Sequence, residues 1–225
     1  MKKPSPFLYQ IIATAFCVIV IISNIVSTKM VKLPFFKDFS IPAGLMAYPV
    51  AFLLSDLVTE IFGPKKARQM VYLTFAMSIL SFLILQLTLS LPAADLEQAA
   101  SFKRVFGLNG RIVFGSLLAY VVGQTIDIQL YASIRKWTGP RFLWLRNNGS
   151  TFTAQIFDTA IVNLIHLYFG LGMALHQVAG IILFSYVYKC SFSLVATPLY
   201  YFAVAAIKKS IRLPIFSRDK KVVEL

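Results

Sequence analysis

The chain has 225 residues, of which 58% are hydrophobic and only 14% charged, where an ordinary soluble domain carries about 25% charged residues. So few charges cannot cover a soluble surface, so the composition excludes a soluble globular protein and points to an integral membrane protein. The net charge of +13 follows the loops rather than gathering into one patch, so it reads as topology and attraction to anionic lipid, with no nucleic acid expected as partner.

A helical span needs roughly 20 mainly apolar residues, because the hydrocarbon layer is about 30 Å thick and a helix rises about 1.5 Å per residue. Six blocks qualify, near Leu8–Thr28, Ile41–Phe62, Met70–Leu91, Arg111–Ile134, Phe152–Leu175 and Gln177–Ile207. They predict one all-α membrane domain of six transmembrane helices. The roughly ten-residue alternating segments of a β-barrel are not seen.

In chain order, Lys2 and Lys3 precede the first block as in a signal peptide, but no small-x-small cleavage pattern follows, so this span is expected to be retained. Lys32–Ser40, with Pro34 and Asp38, reads as an interfacial hairpin. Pro92–Gly110 is partly amphipathic and suits the membrane surface. Trp137 and Trp144 flank the Arg135–Arg146 loop like an interfacial belt. The last block holds Pro198, which predicts a tilt, a kink or an end outside the lipid. A basic tail, 208–225, follows. Cys17 and Cys190 lie in apolar spans and read as core fillers; neither they nor the two histidines have metal spacing. No metal or cofactor is expected. With no nucleophile–base set and no phosphate loop, no catalysis is expected either.

Lys and Arg are unevenly placed across these spans, fifteen on the side of the N-terminus and the tail against six on the other. The positive-inside rule therefore puts both termini in the cytoplasm.

Four of the nine acidic residues, Asp56, Glu60, Asp127 and Asp158, fall inside the expected spans. A carboxylate at a helix centre costs roughly 2.5–3.5 kcal/mol on the insertion scale, so each needs a partner, a proton or a watery cavity. Counted from the expected span ends, Asp56, Asp127 and Asp158 sit roughly 9–10 Å below one face, in one layer. Glu60 follows Asp56 by one turn on the same helix face and lies nearer the headgroups.

Polar neighbours extend this face. Gln124 precedes Asp127, and Gln155 precedes Asp158, in a twice-used Gln-x-x-Asp spacing. Thr159 and His166 share the face of Asp158, and Asn24 lies near the outer end of the first span, followed by Lys29. Taken singly, Asn24, Gln124, Thr159 and Asn163 read better as helix–helix glue. His166 is a structural group or a proton relay. Lys189 is a counter-ion for the acid layer or a snorkelling residue. Arg146 either pairs with Glu60 or holds its loop near the headgroups. As a set, the carboxylates suit a donor-rich or cationic small molecule, or proton coupling.

These same residues carry a family pattern: Ser23-Asn24-Ile25 with Lys29; Tyr48-Pro49; Ser55-Asp56-Leu57-Val58-Thr59-Glu60-Ile61-Phe62-Gly63 with Ala67-Arg68; Gly123-Gln124-Thr125-Ile126-Asp127; Leu143-Trp144-Leu145-Arg146-Asn147-Asn148 with Ser150-Thr151; and Gln155-Ile156-Phe157-Asp158-Thr159. In this order they resemble the vitamin uptake transporter family, whose members are queuosine precursor transporters. The resemblance implies import of 7-deazaguanine precursors of a tRNA nucleoside across a bacterial inner membrane. A guanine-like face offers a ring N–H and an exocyclic amine that one carboxylate can accept together. An aminomethyl substituent would favour a second carboxylate, Gln124 or Gln155 could donate to the ring carbonyl, and Tyr48, Tyr131 or a Phe could stack on the base. Two rival readings stand beside it: a substrate-binding subunit that needs an ATPase motor, and a structural membrane protein whose acids lock helices together. The lipid bilayer is a partner in every reading, and a homo-oligomer is left open.

Overall fold

Proline and glycine set most helix ends. In the computed structural model, which describes residues 5–33, 36–107, 110–139, 141–170 and 172–210, helix α1 (Pro6–Val26) opens on a proline, whose missing N–H costs nothing in the first turn. A short antiparallel pair follows, β1 (Met30–Leu33) and β2 (Phe36–Pro42), with Val31 opposite Ile41. This is the hairpin expected over Lys32–Ser40. A 3-10 turn (Ala43–Met46) leads into α2 (Tyr48–Phe62), where Pro49 again lies in the first turn. Gly63, with φ 86°, then turns the chain into α3 (Pro64–Ser90). Only glycine adopts that backbone freely, and the following proline cannot continue α2.

Helix α4 (Leu96–Phe106) is capped by Asp95, whose carboxylate accepts from the Glu97 and Gln98 amides at 2.8 and 3.3 Å. No residue of α4 is buried, as expected of a surface connection. Helix α5 (Gly110–Thr138) ends at Gly139, φ 62°. Helix α6 (Leu143–Asn163) runs on without a break as a π-helical segment (Leu164–Gly170), and α7 (Leu175–Ser210) continues through Pro198.

Two expected boundaries are corrected. The Arg135–Arg146 loop is far shorter, because Arg135 and Trp137 lie in the last turns of α5 and Trp144 and Arg146 in the first turn of α6. The fifth block was placed from Phe152, but its helix starts nine residues earlier, at Leu143. Hydropathy misses this first part of α6 because its polar side chains, Arg146, Asn147, Asn148, Ser150 and Thr151, are buried in protein.

Burial is inverted relative to a soluble protein. Asp56, Gln124, Asp127 and Asp158 are at most 1% exposed, whereas Leu83, Ile84 and Leu87 on α3 and Leu183, Val195 and Phe202 on α7 are more than half exposed. Such a surface is stable in hydrocarbon, not in water. Among the described residues, five stretches are long and apolar enough to cross a membrane: Pro6–Val26, Ala43–Phe62, Pro64–Ser90, Gly115–Thr138 and Leu175–Lys209. Helix α6 is long enough but too polar to join them. It packs between α5 and α7, which places its polar side chains at the centre of the bundle.

Candidate functional site

At one end of the bundle, Glu60 gathers cations from three other helices. Its Oε1 lies 2.6 Å from Lys208 Nζ and 3.2 Å from an Arg146 guanidinium nitrogen, and Oε2 lies 3.8 Å from Arg135. Tyr131 donates its hydroxyl to Oε2 at 3.0 Å and meets the Tyr200 hydroxyl at 2.5 Å. Arg135 also donates to the Glu60 carbonyl at 3.0 Å, and Arg146 to the Gly139 carbonyl at 2.7 Å. The α2, α5, α6 and α7 ends are thus tied to one carboxylate. Of the two alternatives for Arg146, the pairing with Glu60 is seen; the same guanidinium also fastens the α5–α6 turn through the Gly139 carbonyl. Lys208 was assigned to the basic tail, but α7 extends to Ser210 and carries its ammonium inward to Glu60.

The three deeper carboxylates behave differently. Asp56 and Asp127 are neighbours, with the Ser150 and Thr151 hydroxyls beside Asp127, yet no hydrogen bond of good geometry reaches any of their four carboxylate oxygens. Asp158 Oδ2 accepts from Lys189 at 2.7 Å, and its Oδ1 has no partner. Both polar atoms of the Gln124 amide, the Gln155 carbonyl oxygen and the Tyr48 hydroxyl are likewise buried without one. Each such group costs about 1–3 kcal/mol, more where charged, so a cluster of them marks a place where folding stability yields to another use.

The expected single layer divides into two tiers. A Cβ added to Gly123 would lie 2.9 Å from Asp158 Cβ, and Gly123 is one turn before Asp127. Asp158 therefore lies about one turn, roughly 6 Å, deeper than Asp127. The error came from the start of α6: depth counted from Phe152 omits nine residues, or about 13 Å of helix.

Gln155, Asp56 and Lys189 line a cleft of about 10 Å³ together with Asn147, Thr151, Ser193 and apolar residues of α2 and α7. Asp127 and Asp158 stand behind its lining, next to Thr151 and Lys189 respectively. That volume has room for about one water molecule.

Not every expected residue is brought here. Asn24 lines a separate cleft of about 90 Å³ between α1, α3 and α5, with Ser27, Ser78, Ser81 and Ser116, and Lys29 is exposed. Thr159 joins the inner cluster, its hydroxyl accepting from Lys189 at 3.2 Å. His166 lies in the π-helical segment, and its side chain is outside the described residues. Lys189 is a counter-ion and does not snorkel. The Tyr131–Tyr200 pair, Arg135 and Lys208 were not expected around Glu60. Nor was the Asn148 side chain, which accepts from Ser193 and donates to Thr197, both at 2.9 Å, tying α6 to α7. For Asn148 the available signal was its place in a polar run that begins a span.

A profile of the family described as "Putative vitamin uptake transporter" matches residues 42–203, which includes both tiers and nearly all of α7. The chain is 36% identical over 166 residues to a protein of Bacillus subtilis (strain 168) named "Probable queuosine precursor transporter", a match covering 71% of this chain and 70% of that protein. It is 31% identical over 135 residues to the "Queuosine precursor transporter" of Escherichia coli (strain K12), covering 59% and 58%. A Haemophilus influenzae relative, also named a probable queuosine precursor transporter, is 29% identical over 147 residues, covering 64% and 60%. No solved structure matches the chain.

Proposed function

The chain belongs to the vitamin uptake transporter family, and on that premise we propose that it imports 7-deazaguanine precursors of queuosine across a bacterial inner membrane. It is a transporter and not an enzyme. In this reading the chain crosses the membrane six times, α6 with its π-helical continuation being the sixth crossing, and both termini are cytoplasmic.

The observation that carries the substrate reading is the Asp56–Asp127 pair, two fully buried carboxyls whose oxygens have no well-formed partner. A guanine-like edge presents adjacent N–H donors, which a carboxylate accepts as a bidentate pair. Gln124 and Gln155, also incompletely bonded, complement the ring carbonyl and remaining donors. Tyr48 and Phe52 supply faces on which the ring can stack. Glu60 lies outside this set. Its oxygens are fully engaged, so it serves as the lock that the structural reading assigned to all the acids.

Because the cleft is closed to about 10 Å³, the ligand is bound in a more open arrangement, and transport alternates between the two. Thermal melting of the purified protein with a panel of deazaguanines tests the recognition, since a ligand bound only by the folded state raises stability. Stabilisation by deazaguanines but not by adenine is expected. A melting temperature unmoved by every deazaguanine would overturn the substrate class. Uptake by the purified chain alone in liposomes is expected as well; a requirement for an added ATPase would favour the subunit reading.

A further inference from the structure

Lys189 is held by three groups that together form a binding site for a primary ammonium. Asp158 Oδ2 accepts at 2.7 Å, Thr159 Oγ1 accepts at 3.2 Å, and the Tyr48 ring lies 5.4 Å from Nζ to its centroid. Carboxylate, hydroxyl and aromatic face are the three kinds of partner an alkylammonium seeks. Here the occupant comes from the chain itself, from the middle of α7. Lys189 is 6% exposed and lines the same small cleft as Asp56 and Gln155, so its charge is felt by whatever enters there.

We propose that Lys189 is a tethered ammonium that fills the cation position beside Asp158, so that the site selects ligands uncharged at that end and discriminates against those bearing an ammonium of their own. The inference rests on the deazaguanine reading and adds the charge of the 7-substituent. It also reverses an expectation from sequence: a second carboxylate is present, but it is already neutralised, and an aminomethyl group meets a like charge instead of a free acceptor. Like charges brought together in a desolvated site are strongly disfavoured. The donor-rich face of the ring is left to Asp56 and Asp127, which have no resident cation among the described residues.

The test compares two 7-deazaguanines that differ only in this substituent, one with a neutral nitrile and one with an aminomethyl group, by ligand-induced melting shifts on the purified full chain. In the wild type, the neutral ligand should bind tighter by about tenfold or more. Lys189→Gln exposes the Asp158 carboxylate and should invert that ratio. Should Lys189→Gln not fold, because it leaves Asp158 buried and unpaired, the double variant Lys189→Gln/Asp158→Asn removes both charges. It should bring the two affinities close to equal. A wild type that prefers the aminomethyl ligand overturns the inference, as does an unchanged ratio in whichever variant folds; in either case the function proposed above is left standing. A wild type stabilised by neither ligand overturns both.

Discussion

Lys208 and Glu60 are 148 positions apart in sequence, yet Lys208 Nζ lies 2.6 Å from Glu60 Oε1. The contact closes the end of α7 onto α2, and Arg135 and Arg146 complete a ring of three cations around one carboxylate. Replacing Glu60 with Gln leaves these cations facing one another in a mostly buried space. Removing one member of a buried pair costs roughly 3–5 kcal/mol. We expect Glu60→Gln to lower the melting temperature and the amount of folded protein in parallel with uptake. A variant that keeps full stability and loses only transport would move Glu60 into the transport site.

Gly123 marks the tight crossing of α5 and α6. Its missing side chain leaves room for Asp158, whose Cβ would lie 2.9 Å from a Cβ at this position. The near atom is the start of a side chain on a packed helix, so it cannot swing aside. Gly123→Val should force the helices apart at a cost of about 1–3 kcal/mol and disturb the Asp158–Lys189 pair. Thermal melting and uptake on one preparation measure both effects. Wild-type values for the two together would refute the crossing described here.

Much of this arrangement was legible in the sequence, for a definite reason. A carboxylate inside an apolar block is expensive, so Asp56, Asp127 and Asp158 stand out against their surroundings without any knowledge of the fold. Their vertical order was not legible. It depended on where α6 begins, and hydropathy reads only lipid-facing residues well. The first turns of α6 face protein on several sides and carry Arg146, Asn147 and Asn148, so they look like a loop. The same effect hid most of the Glu60 ring: Arg146 was a candidate partner, but Arg135 and Lys208 are cations near span ends, where the default reading is contact with headgroups. Asn24 was misplaced in the opposite way, as to which cleft it lines. It lies on the right kind of helix, but its turn of α1 opens on another cleft.

The topology proposed for the family member gives a direct expectation. With six crossings as proposed, fifteen Lys and Arg residues fall on one side against six on the other, which would put the termini in the cytoplasm, and an even number of crossings would return the chain to its starting side. Reporter fusions after Ser210 should read cytoplasmic, and fusions in α4 periplasmic. A periplasmic signal after Ser210 would mean that α6 does not cross, and the five-span alternative would stand.

Asp127→Asn should abolish uptake while leaving a folded protein in the membrane. Asp127 is fully buried and has no ion pair among the described residues; Asp56, Ser150 and Thr151 are its polar neighbours. The amide is close to the carboxylate in size, so packing between α5, α2 and α6 is retained. Removing a charge from the span eases insertion. Recognition suffers, because half of a double acceptor becomes a donor that points at the N–H groups of a guanine-like edge. Losing a charged hydrogen bond in a buried site costs about 1.5–3 kcal/mol, which corresponds to an affinity loss of about tenfold to a hundredfold. The same reasoning holds for Asp56→Asn. It does not hold for Asp158→Asn, which strands the Lys189 ammonium and should lower stability as well as uptake. The decisive measurement is the contrast among the three: labelled-precursor uptake against folded protein in the same cells. If Asp127→Asn loses folded protein as severely as Asp158→Asn, the Asp56–Asp127 pair is a helix lock and the substrate site must be sought elsewhere.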